Sequence, residues 1–134
     1  MIKNNRIKEN GKIIVVASLG GKFQIIQECN PDLYQRLQAW ESWGYKELNA
    51  LEEECVADHK DPERAKLWSP WVYFTSKLMV NLWVSVFAKD PRVTEKGIQE
   101  YAMCPGFCET SMMTGSAYQG VAPRTAEQGA QSPV

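Results

Sequence analysis

Two side chains in this sequence are spaced so that they could move a proton together. Tyr73 and Lys77 are four residues apart in a segment with helical character, so their side chains share one face. Lys77 is the only charged residue between Lys66 and Lys89, and a cation in an apolar segment needs a reason to be there. An ammonium held near a phenol favours the phenolate, which makes a tyrosine a usable proton donor and acceptor near neutral pH.

A third candidate, Ser18, follows a short apolar run. Residues 13–17 are apolar, mostly β-branched and bounded by glycines, which predicts a strand buried on both faces, as in a parallel sheet covered by helices. Open α/β sheets bind their ligands at the carboxyl ends of the strands. A hydroxyl at position 18 could therefore hydrogen-bond a substrate carbonyl.

The order of the elements strengthens this interpretation. A Tyr-x-x-x-Lys pair alone is more often a chance match than a functional motif. Here the strand ending in Ser18 is followed by a long connection, and then by an apolar helix predicted over residues 72–88 that carries the pair. A second strand is predicted over residues 98–104, closed by Pro105 and Gly106. Two strands joined by a helical crossover form a βαβ unit.

The connection itself has helical signals. Asn30 and Pro31 predict a helix start, with Leu33 and Leu37 on its buried face. After Gly44 a second amphipathic helix is predicted. Its inward positions are Leu48, Leu51, Cys55 and Val56, and its outward positions are Glu52, Glu53, Glu54 and Asp58. A capping box, residues 125–128, predicts a last helix near the end of the chain.

Composition narrows the class of protein. The chain has 134 residues, a net charge of -1 and 44% hydrophobic residues, which favours one globular domain over a basic nucleic-acid binder or a disordered segment. The longest apolar stretch, residues 78–88, is too short to span a bilayer. Four scattered cysteines favour a cytoplasmic protein with reduced thiols. With His59 the single histidine, no metal site is expected from Cys104 and Cys108.

The ordered set resembles the short-chain dehydrogenase/reductase family and, within it, the monomeric carbonyl reductases. The matching segments are residues 11–18, 73–77, 104–110 and 127–134. Residues 22–71 are similar to the helical insertion that precedes the catalytic tyrosine in that subgroup. The resemblance covers nearly all of this chain but only about the second half of the family's fold.

The resemblance implies an α/β fold. The chain would be part of a Rossmann-like, doubly wound parallel sheet, and residues 1–134 would form a partial short-chain dehydrogenase/reductase domain. The first βαβ half and the last strand of that fold are missing from it. No nucleic acid and no membrane span are expected. The full-length enzyme would be a monomer that acts on a small-molecule carbonyl substrate.

The resemblance also implies roles for individual residues in NADPH-dependent reduction of a carbonyl to an alcohol. Tyr73 would be the general acid, Lys77 would favour its phenolate and bind the nicotinamide ribose, and Ser18 would orient the carbonyl. The cofactor would also meet Pro105, Gly106 and Thr110. The substrate cleft would be lined by Trp71 and Met112.

Two family features do not appear in this sequence. It contains no G-x-G-x-x-G turn for the cofactor phosphates, and Ala17 stands where the family usually has the first of two serines. The adenosine half of the cofactor therefore has no predicted site here. We predict that the chain alone does not bind NADPH tightly, and a micromolar dissociation constant would refute this.

Three hypotheses follow. In the first, the chain is the catalytic half of a carbonyl reductase and is a fragment of a longer product. In the second, it is a genuine short, non-catalytic subunit or interaction module, whose open sheet is completed by a partner chain. In the third, it is one part of a split enzyme, and another polypeptide supplies the nucleotide-binding half.

Overall fold

The computed structural model describes residues 7–111 and 123–131. Within these ranges the chain has a mixed α/β architecture, with two parallel strands on one side and a group of helices on the other. Strand β1 is Lys12–Val16 and strand β2 is Gln99–Met103. The helices are α1 (Gln24–Cys29), α2 (Pro31–Leu37), α3 (Tyr45–Asp58), α4 (Pro62–Ala65), α5 (Val72–Phe87), α6 (Pro91–Thr94) and α7 (Ala126–Ala130), with 3-10 helices at Leu19–Gly21 and Trp40–Ser42.

The two strands form a parallel sheet whose register pairs Lys12 with Gln99 and Val16 with Met103. The Ala17 amide continues the ladder by donating to the Met103 carbonyl at 2.7 Å. The carboxyl ends of both strands therefore lie side by side. The predicted strands and their order are confirmed.

The two faces of this sheet differ in burial. Ile13, Val15 and Glu100 lie on a half-buried face, and α5 packs against β2. On the opposite face Ile14 is 49% exposed and Val16 is 58% exposed. The predicted burial of this strand on both faces is therefore wrong for this structure, because the helices of the described residues do not cover that second face.

A helical core accounts for most of the fully buried side chains. One stripe of α5, formed by Leu78, Leu82 and Val86, packs into this core. The other buried members come from the connection between β1 and α5, and they are Ile26, Leu33, Leu37, Trp43, Leu48, Leu51 and Trp68. Residues 22–71 thus form a helical layer that packs against α5, the helix that carries Tyr73 and Lys77.

Local capping explains where several helices begin. The Asn30 side chain accepts a hydrogen bond from the Leu33 amide at 3.0 Å, and Pro31 occupies the first turn of α2. At α7, Thr125 Oγ1 accepts from the Gln128 amide at 3.1 Å, and Gln128 Oε1 accepts from the Thr125 amide at 2.8 Å. Both predicted helix starts are confirmed, since each depends on residues within one turn.

Two positions on α3 were predicted on the wrong side. Val56 is exposed, whereas Asp58 is buried. The Asp58 carboxylate accepts hydrogen bonds from Trp68 Nε1 at 3.0 Å and from Arg64 Nε at 2.6 Å. The Trp68 hydrogen bond, helped by Arg64, lowers the pKa of Asp58 below its usual value despite its burial. A charged residue is tolerated inside here because it is fully paired.

The helices over residues 7–111 and 123–131 all fall short of the length and apolar character needed to cross a membrane. In the same ranges, no three His, Cys, Asp or Glu side chains converge in a way that could hold a metal ion.

Candidate active site

The structure brings Tyr73 and Lys77 together at the start of α5. The Lys77 Nζ atom lies 5.7 Å from the centroid of the Tyr73 ring. Tyr73 is 50% exposed, so part of its side chain is open to a ligand from solvent. The shared helix face predicted from the spacing of four is therefore present.

Lys77 also connects this helix to the end of β1. Its Nζ donates to the Val16 carbonyl oxygen at 3.3 Å. An ammonium has three donors, so this contact leaves others for a ligand. Val16 is the last residue of β1 and stands two residues before Ser18, so the contact places the Lys77 ammonium at the carboxyl end of this strand.

Ser18 caps the 3-10 helix Leu19–Gly21, and we call residues 18–21 together the Ser18 turn. Its Oγ accepts a hydrogen bond from the Gly20 amide at 3.0 Å, and the Gly21 amide donates to the Ser18 carbonyl at 3.0 Å. Accepting this bond fixes the hydroxyl oxygen and leaves its proton free for donation. Such a hydroxyl has a proton to donate to a carbonyl oxygen, and the predicted role of Ser18 in orienting a substrate carbonyl stays a prediction.

Close packing sets the Ser18 turn against α5. A Cβ atom at Gly21 would lie 2.4 Å from the Lys77 carbonyl carbon, and one at Gly20 would lie 2.5 Å from the Phe74 ring. Both distances are shorter than any real contact of this kind. Glycine is needed at Gly21 because the close atoms there belong to the helix backbone, whereas a Cβ at Gly20 would require the Phe74 ring to shift.

A side chain further along α5 also reaches the Ser18 turn. Asn81 Nδ2 donates to the Gly21 carbonyl at 3.1 Å and to the Ser18 carbonyl at 3.4 Å. Sequence reasoning missed this residue. The signal available for it is its spacing, because positions 73, 77 and 81 continue one stripe along the helix.

Aromatic side chains surround the beginning of α5. The rings of Trp71 and Phe74 lie 5.1 Å apart, and those of Tyr73 and Phe74 lie 5.8 Å apart. Trp71 is 58% exposed, so part of its indole remains open to solvent near the rings of Tyr73 and Phe74. Met112, the other predicted cleft residue, lies outside the described residues.

The residues predicted to meet the cofactor follow β2. Pro105 and Gly106 follow the end of this strand after Cys104, next to the end of β1, and Gly106 takes a positive φ of 81°. The Arg124 side chain packs within 3.4 to 3.7 Å of the place that a Cβ at Gly106 would occupy. Thr110 is exposed farther along the same loop, and its predicted contact with the cofactor stays a prediction.

The amino-acid sequence is similar to that of a curated enzyme. Over 131 residues, which are 96% of its length, the chain is 31% identical to the NADPH-dependent carbonyl reductase 1 of Sus scrofa. The chain is therefore similar to a carbonyl reductase over nearly all of its own length. The resemblance to the short-chain dehydrogenase/reductase family and its carbonyl reductases is thereby confirmed. The chain spans 43% of the length of that relative. No protein-family model matches it.

Proposed function

We propose that this chain forms the catalytic part of an NADPH-dependent carbonyl reductase. The observation that carries the proposal is the Tyr73–Lys77 pair at the carboxyl end of β1, in a chain that aligns with a carbonyl reductase along nearly its whole length. In this proposal β1 and β2 are two strands of a larger Rossmann-like, doubly wound sheet in the cytoplasm. Residues 22–71 are the helical insertion of that partial domain.

In the proposed reaction Tyr73 donates the proton that the carbonyl oxygen gains as the carbonyl becomes an alcohol. The Lys77 ammonium stabilises the phenolate left behind, because an opposite charge nearby favours the ionised phenol. The Ser18 hydroxyl donates to the carbonyl oxygen and orients it. NADPH, when bound, supplies the hydride that forms the new carbon–hydrogen bond.

The residues present fit one end of the cofactor. Lys77 has donors to spare for ribose hydroxyls, and Pro105, Gly106 and Thr110 follow the strand end where a nicotinamide would lie. The sequence has no glycine-rich turn for the phosphates. Further protein therefore supplies the adenosine half of the site, and tight NADPH binding by this chain alone is not expected.

The proposed substrate is a small carbonyl compound. Trp71 and Phe74 present an apolar wall beside Tyr73, which suits an apolar or aromatic substituent on that compound. The wall lies next to the proton donor, so the carbonyl group and its substituent can be held together.

The decisive variant is Tyr73→Phe, made in the protein at its native length. It removes one hydroxyl and keeps the ring. We expect the rate of carbonyl reduction to fall by about 10²- to 10⁴-fold, which is the range for losing a general acid. The control is Tyr34→Phe on α2, which should leave the rate unchanged. If Tyr73→Phe keeps the full rate, the proposed role is wrong.

A second candidate is a non-catalytic, reductase-like module completed by a partner chain. The observation that favours it is the exposed sheet face with Ile14, Val16 and Tyr101, because apolar residues on an open sheet are a surface for further protein. Here the native protein would be recovered with a second polypeptide, and Tyr73→Phe would change no reaction rate. A stable monomer with cooperative unfolding would count against it.

A further inference from the structure

The helix that carries Tyr73 and Lys77 has a third polar residue on the same stripe. Tyr73, Lys77 and Asn81 follow one another at intervals of four residues, and such positions lie above one another on a helix. Lys77 reaches the carbonyl of Val16 at the end of β1. Asn81 reaches past that point, to the turn that follows the strand.

The Asn81 amide binds both ends of the Ser18 turn. Its Nδ2 lies 3.1 Å from the Gly21 oxygen and 3.4 Å from the Ser18 oxygen. A carboxamide nitrogen carries two N–H donors, and backbone carbonyls only accept. The same side chain can therefore hold the first and the last residue of the turn at once.

Steric contact and hydrogen bonding act on this turn from the same helix. Gly21 packs directly on the Lys77 backbone, where a Cβ atom would find no room. Asn81, four residues after Lys77 on α5, holds the Ser18 turn by its two hydrogen bonds. The Ser18 Oγ is in turn fixed inside the turn by the Gly20 amide. A shift of the turn along α5 would therefore move the Ser18 hydroxyl relative to the Tyr73 phenol.

We infer that Asn81 is a positioning residue, which fixes the Ser18 hydroxyl relative to Tyr73 and Lys77 by tying the Ser18 turn to α5. The inference rests on the proposed function, since Ser18 and Tyr73 have to act on one carbonyl oxygen. It predicts that Asn81 affects the chemical step more than the binding of either ligand. The reason is that a displaced catalytic group weakens the transition state with little change in ground-state contacts.

The test is Asn81→Asp in the protein at its native length. The new side chain has nearly the same shape, but its carboxylate cannot donate to the Ser18 and Gly21 carbonyls. We expect kcat for reduction of a carbonyl substrate to fall by about 10-fold or more, with KM for NADPH changed by less than about twofold. Asn81→Gln keeps the amide, and we expect it to recover part of kcat.

A second readout does not depend on the activity. The amides of Gly20, Gly21 and Lys22 are hydrogen-bonded within the Ser18 turn. Hydrogen exchange at these three amides should accelerate by about 10-fold or more in the variant, since local opening sets their exchange. The matched control is Asn49→Asp on the exposed side of α3, which should change neither kcat nor the exchange. If Asn81→Asp does not fold, Asn81→Ala removes the amide without adding a charge, with the same expectations.

The outcomes separate the inference from the function it rests on. Faster exchange in the turn together with a lower kcat supports the inference. An active wild type and an equally active Asn81 variant overturn the inference alone. A lower kcat with unchanged exchange in the turn also overturns it, because Asn81 would then act by another route. A wild-type protein that reduces no carbonyl substrate overturns the proposed function instead.

Discussion

The helical side and the sheet side of this molecule differ in how completely they are buried. On the helical side, α1 to α4 and one stripe of α5 enclose Leu37, Leu51 and Trp68, each with no exposed surface. On the sheet side, β1 and β2 leave Ile14 and Tyr101 about half exposed. The residues with candidate chemistry lie at the end of this less buried side.

This difference separates the well-packed core from the candidate active site. The helical side has a closed core, and Leu78, Leu82 and Val86 anchor α5 in it. The sheet side contributes Ser18 and the ends of both strands, but helices cover only one face of this sheet among the described residues. α5 joins the two sides, because it carries core leucines on one stripe and Tyr73, Lys77 and Asn81 on another.

The largest expected effect on stability comes from the helical side. Trp68→Ala would open a cavity in the core and leave Asp58 without its indole donor, so we expect a loss of about 3–5 kcal/mol in the free energy of unfolding. Urea denaturation measures this. Trp71→Ala, which removes an exposed indole, should cost far less. Equal losses for the two would show that the helical core is not the stable part.

The stability of the protein should be nearly as sensitive to changes where the Ser18 turn packs against α5. Gly21→Ala places a methyl group against the Lys77 backbone, and we expect a loss of about 1–3 kcal/mol from this overpacking. Helical circular dichroism should be kept while carbonyl reduction is lost. Gly44→Ala is the matched control, because a Cβ there meets only the tip of Glu47 at 3.6 Å. A fully active Gly21→Ala variant would contradict the close approach of turn and helix.

A smaller effect should depend on pH. Both carboxylate oxygens of Glu100 are buried without a hydrogen-bond partner among the described residues. Desolvation, with a smaller contribution from Asp90, raises the pKa of Glu100 to about 7. The folded state then binds more protons than the unfolded state between about pH 4.5 and pH 7, so stability falls as the pH rises through this window.

Glu100→Gln removes this ionisation. As the pH is raised from 4.5 to 8, the melting temperature of the variant should therefore rise relative to that of the wild type. Glu53→Gln, at an exposed position on α3, should show no such trend. A difference that stays constant over this range would mean that Glu100 is solvated.

The smallest effect is expected on the open sheet face. In the 134-residue chain, Ile14→Ala should cost less than about 1 kcal/mol, as surface changes do, whereas Ile26→Ala in the helical core should cost about 2–5 kcal/mol. In the protein at its native length the cost of Ile14→Ala should rise, because the proposed reductase fold covers that face. A cost that does not rise would favour an uncovered sheet.

Local signals made much of this fold predictable from sequence. The caps at Asn30 and Thr125 depend on residues within one turn, and the apolar runs of β1 and α5 mark their own positions. The buried Asp58 could not be predicted, because its partner Trp68 lies ten residues away across a helix junction. Val56 was misplaced because a helical pattern shows which residues are apolar but not which face finds a neighbour.

The candidate site shows the same limit on a longer scale. The spacing of Tyr73 and Lys77 follows from helix geometry, so sequence alone predicted their contact. The contacts of Lys77 with Val16 and of Asn81 with Ser18 span more than 60 residues, and only the packing of α5 on the Ser18 turn creates them. The resemblance to carbonyl reductases gave roles to Ser18 and Lys77 but did not indicate Asn81.

The most direct test of the central claim follows the transferred hydrogen itself. The protein at its native length is incubated with NADPH that carries deuterium at both nicotinamide C4 positions and with an aromatic ketone or aldehyde, and the product is analysed by mass spectrometry. The proposed function predicts an alcohol with one deuterium on the former carbonyl carbon, at a rate that Tyr73→Phe lowers by about 10²-fold or more. An alcohol without deuterium, no alcohol at all, or an unchanged rate with Tyr73→Phe would contradict it.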